Sequence, residues 1–180
     1  GQNMAGLVSF QVQGNPGDKV EFTCFEALNK DGNVYTENLR SAKQTITYYC
    51  KGEGWEHYMP RFSYQGFRYI HIRSWPGRCD SAKIKAYAVY SDMTFHGSFT
   101  SSRGLVNRLM ENIRWSMKSN FVDIPTDCPQ RDERLGWTGD AQIFSETAVY
   151  LANVYGFYEK WLLDVAGEQY EDGGVPHLVP

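Results

Sequence analysis

The sequence has no long apolar run, no excess of basic charge and no closely spaced pairs of cysteines or histidines. Its 180 residues carry 18 Lys and Arg side chains against 21 Asp and Glu, which gives a formal net charge of -3. Nucleic acids and anionic membranes attract basic surfaces, so we expect neither as a partner. A membrane-spanning helix needs about 20 consecutive apolar residues, and no segment has them.

The four cysteines and four histidines are scattered along the chain. The short spacings that typify zinc sites, such as CxxC and HExxH, are absent, so we expect no metal and no other cofactor. We predict free, mostly buried thiols rather than a disulfide framework. The cysteines are Cys24, Cys50, Cys79 and Cys128.

The first half of the chain has the pattern of β-structure. Short alternating or aromatic runs are separated by clusters of Gly, Pro, Asn and Asp, as at Asn29–Asn33. About six or seven such runs predict an antiparallel β-sandwich over residues 1–95. The predicted strands are Leu7–Gln13, Val20–Cys24, Gln44–Lys51, Tyr58–Tyr64, Phe67–Arg73 and Ala82–Tyr90.

After about residue 95 the apolar residues recur at helical spacing. The first predicted helix has Ser101 or Ser102 as its N-cap. A second predicted helix carries an apolar stripe from Phe144 to Leu162 and ends at Gly167. Two helices cannot bury such stripes against each other, so they need a sheet, a partner or further helices. The stripe of the first helix is Leu105, Leu109, Ile113 and Met117.

The loop between these helices has an unusual composition. Residues 127–140 hold four carboxylates, two arginines and a tryptophan, and the two prolines and two glycines of residues 124–140 restrict the backbone. One interpretation is a solvated turn, with Arg131 and Arg134 pairing the acids and Thr138 or Asp140 capping the next helix. The other is a sugar site, which uses an aromatic platform, hydrogen-bonding charges and carboxyl pairs for glycoside hydrolysis. The residues alone leave both open.

The segment Thr126–Asp140, TDCPQRDERLGWTGD, resembles the signature of the bacterial α-L-rhamnosidases, glycoside hydrolase family 78, which are inverting enzymes. The resemblance implies a concanavalin-like accessory β-sandwich over residues 1–95. It also implies that residues 96–180 are the first helices of an (α/α) six-hairpin catalytic barrel, apparently truncated. Further similar segments are residues 1–6, 31–40, 60–69, 91–93 and 172–176.

The resemblance also implies roles for individual residues. Glu133 matches the general acid that protonates the glycosidic oxygen, whereas the role of Asp132 stays open. An inverting enzyme needs a second carboxylate about 6.5–9.5 Å away as the base, and in the family it lies beyond residue 180. Glu146 and Glu159 are expected on a solvated helix face instead. The residues that match the rhamnose pocket are Asp127, Arg131, Trp137 and Asp140.

The chain is therefore expected to be a piece of a longer bacterial enzyme, with the acid but without the base, and inactive alone. The implied partners are rhamnose-containing glycosides or polysaccharides and the remainder of the parent chain. The first six residues have neither the basic nor the apolar region of a signal peptide, and the compartment, cytoplasmic or exported, stays open.

An alternative function is a non-catalytic carbohydrate-binding or accessory β-sandwich module. Its recognition face would consist of aromatic side chains in the first half, although core packing is the better expectation for each of them. A metal site in the acidic loop is disfavoured, because Arg131 and Arg134 would repel a cation. The aromatic candidates are Trp55, Tyr58, Tyr64 and Trp75.

Overall fold

The structure is a computed structural model and describes residues 2–180. A β-rich first part is followed by helices, which confirms the predicted fold class. The elements, in chain order, are β1 (Met4–Gln13), β2 (Lys19–Phe25), β3 (Ala27–Leu28), β4 (Val34–Tyr35), β5 (Thr45–Tyr49), β6 (Trp55–Tyr58), β7 (Gln65–Phe67), β8 (Tyr69–Ser74), β9 (Ile84–Ala88), β10 (Thr94–Phe95), α1 (Gly104–Asn120), β11 (Phe121–Val122), β12 (Ile124–Pro125), α2 (Thr138–Leu151), β13 (Ala152–Asn153) and α3 (Tyr155–Gly167).

The first part contains two larger antiparallel sheets and the short two-stranded pair β3–β4. In one, β1 is central and pairs with β6, β7 and β9; in the other, β2 lies between β5 and β8. The inward side chains of both central strands meet in one core, where the rings of Phe10 and Phe22 touch edge to face at 5.8 Å. Burying one such side chain contributes about 1.5–3 kcal/mol. The buried core residues are Val8, Phe10, Val12, Val20, Phe22, Cys24, Cys50 and Phe67.

The predicted strand Tyr58–Tyr64 is wrong apart from its first residue. Tyr58 ends β6, and residues 59–64 form a loop in which Phe62 is fully exposed and has a φ of 61°. The run Met59-Pro60 explains the break, because proline has no N–H for a sheet ladder.

The aromatic residues of the alternative module do not form one exposed face. The rings of Tyr58 and Trp75 lie 5.7 and 5.6 Å from that of Phe10, within the sandwich core. Trp55 is 64% exposed, with the ammonium group of Lys83 4.7 Å from its ring centroid. All four cysteines are free, and three of them are buried, as predicted.

The first predicted helix is present as α1, but its predicted cap is wrong. Its N-cap is Arg103, with no side-chain capping bond. Ser101 instead exchanges hydrogen bonds with Asn107: the Ser101 N–H donates to Oδ1, and Nδ2 donates to the Ser101 carbonyl. At the other end of the apolar stripe, Met117 is buried.

The second predicted helix is wrong in its continuity. It is two helices, α2 and α3, separated by β13, which pairs with β10. The His96 N–H donates to the carbonyl of Leu151, the last residue of α2, which takes up an acceptor that a continuing helix would use. The side chain of Asn153 accepts a hydrogen bond from the N–H of Tyr155, where α3 begins. Both interactions compete with a continuous helix.

The helices share a second core, in which the rings of Phe121 and Phe157 stack with centroids 4.3 Å apart. Other apolar side chains on the helices are exposed, which agrees with the expectation that the stripes are not buried by these helices alone. Among residues 2–180, no helix combines the length and apolar character needed to cross a bilayer. The exposed side chains include Leu105, Leu109, Ile143, Tyr155, Leu162 and Leu163.

The chain divides into two compact units. The first contains the chain up to Val89 together with Gln130–Asp132, and the second contains Tyr90–Pro129 and Glu133–Pro180. A domain boundary between residues 95 and 96 stays a prediction.

Candidate active site

The predicted site loop begins at a tightly bonded helix end. The carbonyl of Asn120, the last residue of α1, accepts two hydrogen bonds from Thr126, one from its N–H at 2.8 Å and one from its hydroxyl at 3.0 Å. Between them, β11 and β12 form a short hairpin with Asp123 at its tip, where φ is 68°. This arrangement fixes the backbone immediately before Asp127.

Asp127 closes the loop by a reciprocal pair of hydrogen bonds with Leu135. The Asp127 N–H donates to the Leu135 carbonyl, and the Leu135 N–H donates to Oδ1 of Asp127, both at 3.1 Å. These two hydrogen bonds close the seven residues between them into a loop. Asp127 is half-buried, so water would only partly replace its side chain as the acceptor for the Leu135 N–H if that side chain were lost.

Glu133 and Trp137 contact each other directly. The indole Nε1–H of Trp137 donates to Oε1 of Glu133 at 3.0 Å, and both side chains are half-buried. Between them Arg134 adopts a left-handed conformation, with φ 57°. Such a conformation is uncommon for a non-glycine residue and costs about 1–3 kcal/mol.

The N-cap that the solvated-turn interpretation predicts for the second helix, Thr138 or Asp140, is also wrong. Trp137 occupies the N-cap of α2, with no side-chain capping bond. The hydroxyl of Thr138 donates to the carbonyl of Pro176 at 2.9 Å. Asp140 is exposed in the first turn of α2, where the helix dipole favours a carboxylate.

Two of the predicted pocket residues, Asp127 and Asp140, line the same cavity of about 560 Å³. This volume is in the range of small-molecule sites. Its apolar wall includes Phe121 and Phe144, and its polar lining includes Thr126. The cavity therefore offers both carboxylates and apolar surface to a ligand.

Arg131 and Asp132 belong to the short segment Gln130–Asp132, which is part of the first unit. There the hydroxyl of Ser41 donates a hydrogen bond to Oδ2 of Asp132. This bond stabilises the ionised form and lowers the pKa of Asp132 below its usual value. Asp132, whose role the sequence left open, is thus an ionised partner of Ser41.

Asp127, Cys128 and Glu133 are the described residues that could together hold a cation, since one potential ligand atom of each lies within 4.8 Å of the others. One oxygen of each carboxylate accepts a hydrogen bond from within the loop: Oδ1 of Asp127 from the N–H of Leu135, and Oε1 of Glu133 from the indole N–H of Trp137. Both carboxylates thus act as positioned hydrogen-bond acceptors.

The sequence did not reveal the backbone partners of the site. Leu135 binds Asp127 through its main chain, and Thr126 anchors the loop to the end of α1. Main-chain donors carry no side-chain signature. Only the position of Thr126 directly before Asp127 could have drawn attention to it.

Models of two protein domains match adjoining parts of the chain. The bacterial alpha-L-rhamnosidase concanavalin-like domain matches residues 1–90, and the bacterial alpha-L-rhamnosidase 6 hairpin glycosidase domain matches residues 94–180. The chain belongs to the bacterial α-L-rhamnosidase family. The resemblance of the Thr126–Asp140 segment to this family is therefore confirmed.

Relatives of this rhamnosidase-family chain resemble it over nearly its whole length. An alpha-L-rhamnosidase of Formosa agariphila is 44% identical in an alignment of 181 positions, which covers 99% of this chain and 20% of the relative. The chain spans about a fifth of the length of the curated relatives it matches.

Two solved structures have nearly the same fold over 99% of the chain. The alpha-L-rhamnosidase of Dictyoglumus thermophilum is 39% identical with a TM-score of 0.96, and the chain covers 20% of it. The alpha-L-rhamnosidase of Streptomyces avermitilis, solved as a complex with L-rhamnose, is 41% identical with a TM-score of 0.96, and the chain covers 17% of it.

Proposed function

We propose that the chain is part of a longer, inverting α-L-rhamnosidase, which hydrolyses terminal α-L-rhamnosyl groups of glycosides or polysaccharides. Residues 1–95 are its accessory β-sandwich, and residues 96–180 begin its catalytic barrel. The family membership and the names of the relatives support this proposal. The L-rhamnose complex of the Streptomyces relative supports the choice of sugar.

In this proposal Glu133 is the general acid, and the observation that carries its assignment is the hydrogen bond from Trp137. Proton donation to the glycosidic oxygen turns Glu133 into a carboxylate. A hydrogen bond to an ionised acceptor is about twice as strong as one between neutral groups. The indole N–H therefore binds more strongly as the proton leaves, which lowers the barrier of the chemical step rather than only tightening substrate binding.

Asp127, Asp140, Arg131 and Trp137 are proposed to bind the rhamnose. Asp127 and Asp140 share the wall of one cavity, where their carboxylates can accept hydrogen bonds from ring hydroxyls. Arg131 supplies donors for further oxygens. The face of the Trp137 ring packs against the apolar 5-methyl side of the sugar, while its N–H is directed at Glu133.

The general base and further sugar contacts are proposed to come from chain beyond residue 180. Inversion needs a carboxylate about 6.5–9.5 Å from the acid, on the opposite side of the sugar, to activate a water molecule. Glu146 is exposed on α2 and Glu159 lies on α3 near the hydroxyl of Tyr155. The exposed apolar side chains of the helices would pack against the remaining helices of the barrel.

The direct test is hydrolysis of an aryl α-L-rhamnoside by the full-length protein, with the first-formed sugar observed by proton NMR. We expect β-L-rhamnose to be released first, because a single displacement inverts the anomeric centre. Release of the α-anomer first would contradict the inverting mechanism. Hydrolysis of an aryl β-D-glucoside but not the rhamnoside would contradict the proposed substrate. Residues 1–180 alone should give no turnover.

A further inference from the structure

The site loop is paired with a second segment of the chain, residues 177–179. Trp137 and Leu178 form an antiparallel β-bridge. On either side of it, the N–H of Val179 donates to the carbonyl of Gly136 at 2.9 Å, and the N–H of Thr138 donates to the carbonyl of His177 at 3.0 Å. The backbone of residues 136–138, which carries the Trp137 indole, is therefore held by backbone hydrogen bonds from outside the loop.

Gly136 is required for this pairing. Its backbone approaches the Val179 carbonyl so closely that a Cβ at position 136 would collide with the carbonyl oxygen. Close approach of two backbone segments is one of the uses of glycine. Val179 is completely buried, so its carbonyl has no access to water and needs a donor within the protein.

That donor is the side chain of Trp161 on α3. Its indole N–H lies 2.9 Å from the Val179 carbonyl oxygen, and Trp161 is only 4% exposed. The same nitrogen lies 3.2 Å from the position of a Cβ on Gly136. The Val179 carbonyl is thus confined between the backbone of Gly136 and the indole of Trp161.

From this chain of contacts we propose that Trp161 is a positioning residue for the Glu133–Trp137 pair. Trp161 fixes Val179, Val179 fixes the backbone at Gly136, and the next residue, Trp137, directs its N–H at Glu133. The inference rests on the proposed function, because it assigns Trp161 a part in proton donation by Glu133. Displacement of a reacting group by about 1 Å can lower a rate about 100-fold.

The test is Trp161→Phe in the full-length protein, which keeps a buried ring and removes the N–H. Two rhamnosides are compared: an alkyl rhamnoside, whose poor leaving group needs protonation, and a dinitrophenyl rhamnoside, whose leaving group does not. A defect in acid positioning should lower kcat about tenfold for the first and less than about threefold for the second, with little change in KM. Trp115→Phe on α1 is the matched control, with both rates unchanged.

A double-mutant cycle shows whether Trp161 acts through Trp137. In a Trp137→Phe background, Trp161→Phe should lower kcat less than about twofold, since the Trp137–Glu133 hydrogen bond that Trp161 orients is already gone. Replacing Trp161 with β-(3-benzothienyl)alanine, which has sulfur in place of the indole N–H in a ring of nearly the same shape, should give the same dependence on the leaving group. This second variant keeps the proposal falsifiable if Trp161→Phe does not fold.

Equal losses on both substrates, no loss on either, or full additivity with Trp137→Phe would overturn the positioning role. Failure of the unmutated full-length protein to hydrolyse either rhamnoside would instead reject the proposed function. The two failures are therefore distinguishable in one set of assays.

Discussion

The indole N–H of Trp137 donates a hydrogen bond of 3.0 Å to Oε1 of Glu133. The two residues are four apart, as on successive helical turns, yet no helix connects them. The chain turns between them so that the side chains meet. Arg134 has a left-handed backbone, and the N–H of Trp137 donates to the carbonyl of Leu135. The local backbone, rather than a regular element, thus orients the proposed acid.

Removal of the indole N–H should weaken the chemical step. Trp137→Phe keeps an aromatic ring but leaves Glu133 without this donor. A hydrogen bond to a charged group contributes about 1.5–3 kcal/mol, so we expect kcat of the full-length protein on an alkyl rhamnoside to fall at least about tenfold. KM should change less. Steady-state kinetics measures both constants, and an unchanged kcat would refute the role given to the indole.

Asp127 should have separable structural and binding roles. Asp127→Ala removes the acceptor of the Leu135 N–H and should lower the free energy of unfolding by about 1–3 kcal/mol. Asp127→Asn keeps an oxygen in the same place and should cost less, although both variants weaken rhamnoside binding. Urea denaturation and KM measurements check the two roles. Equal stability of the Ala and Asn variants would contradict the structural one.

The sandwich should lose stability in acid partly through Glu56. Its carboxylate accepts hydrogen bonds from the Tyr48 hydroxyl at 2.6 Å and from the N–H groups of Lys51 and Gly52, both at 3.0 Å. The Lys51 N–H, followed by the Tyr48 hydroxyl, lowers the pKa of Glu56 below its usual 4.5. The hydrogen bond between the Tyr48 hydroxyl and Glu56, together with burial, raises the pKa of Tyr48 to about 12.

Because the folded pKa of Glu56 is below the unfolded one, its contribution is complete above pH 4.5 and is lost as the pH falls through the folded value. Glu56→Gln should therefore lower the thermal midpoint at pH 7, and the difference from the unmodified protein should shrink toward pH 3. Glu53→Gln, at an exposed position in the loop that contains Lys51 and Gly52, is the matched control. A difference that does not depend on pH would contradict this explanation.

The sandwich could be predicted because its strands carry their own pattern. Val20, Phe22 and Cys24 alternate with polar residues, and the structure buries all three. The break between α2 and α3 could not be predicted in this way. The apolar stripe continues through Leu151 and Tyr155, and the extended residues between them pair with β10, a contact more than 50 residues away in the chain.

The site was predictable in composition but not in geometry. The resemblance of the loop to one family singled out Glu133 and Trp137, but nothing in the sequence indicates that the indole donates to the carboxylate. That contact depends on a left-handed Arg134, at a position where glycine would be expected, and on pairing with residues 177–179. Both are consequences of tertiary structure.

The central claim, that Glu133 donates the proton, is tested most directly by Glu133→Gln in the full-length protein with two substrates. Turnover of an alkyl α-L-rhamnoside should fall by about 100-fold or more, because glutamine cannot protonate the leaving oxygen. Turnover of a dinitrophenyl rhamnoside, which leaves without protonation, should fall far less. Glu146→Gln, on the exposed face of α2, should leave both rates unchanged. Near-normal hydrolysis of the alkyl rhamnoside by Glu133→Gln would contradict the assignment.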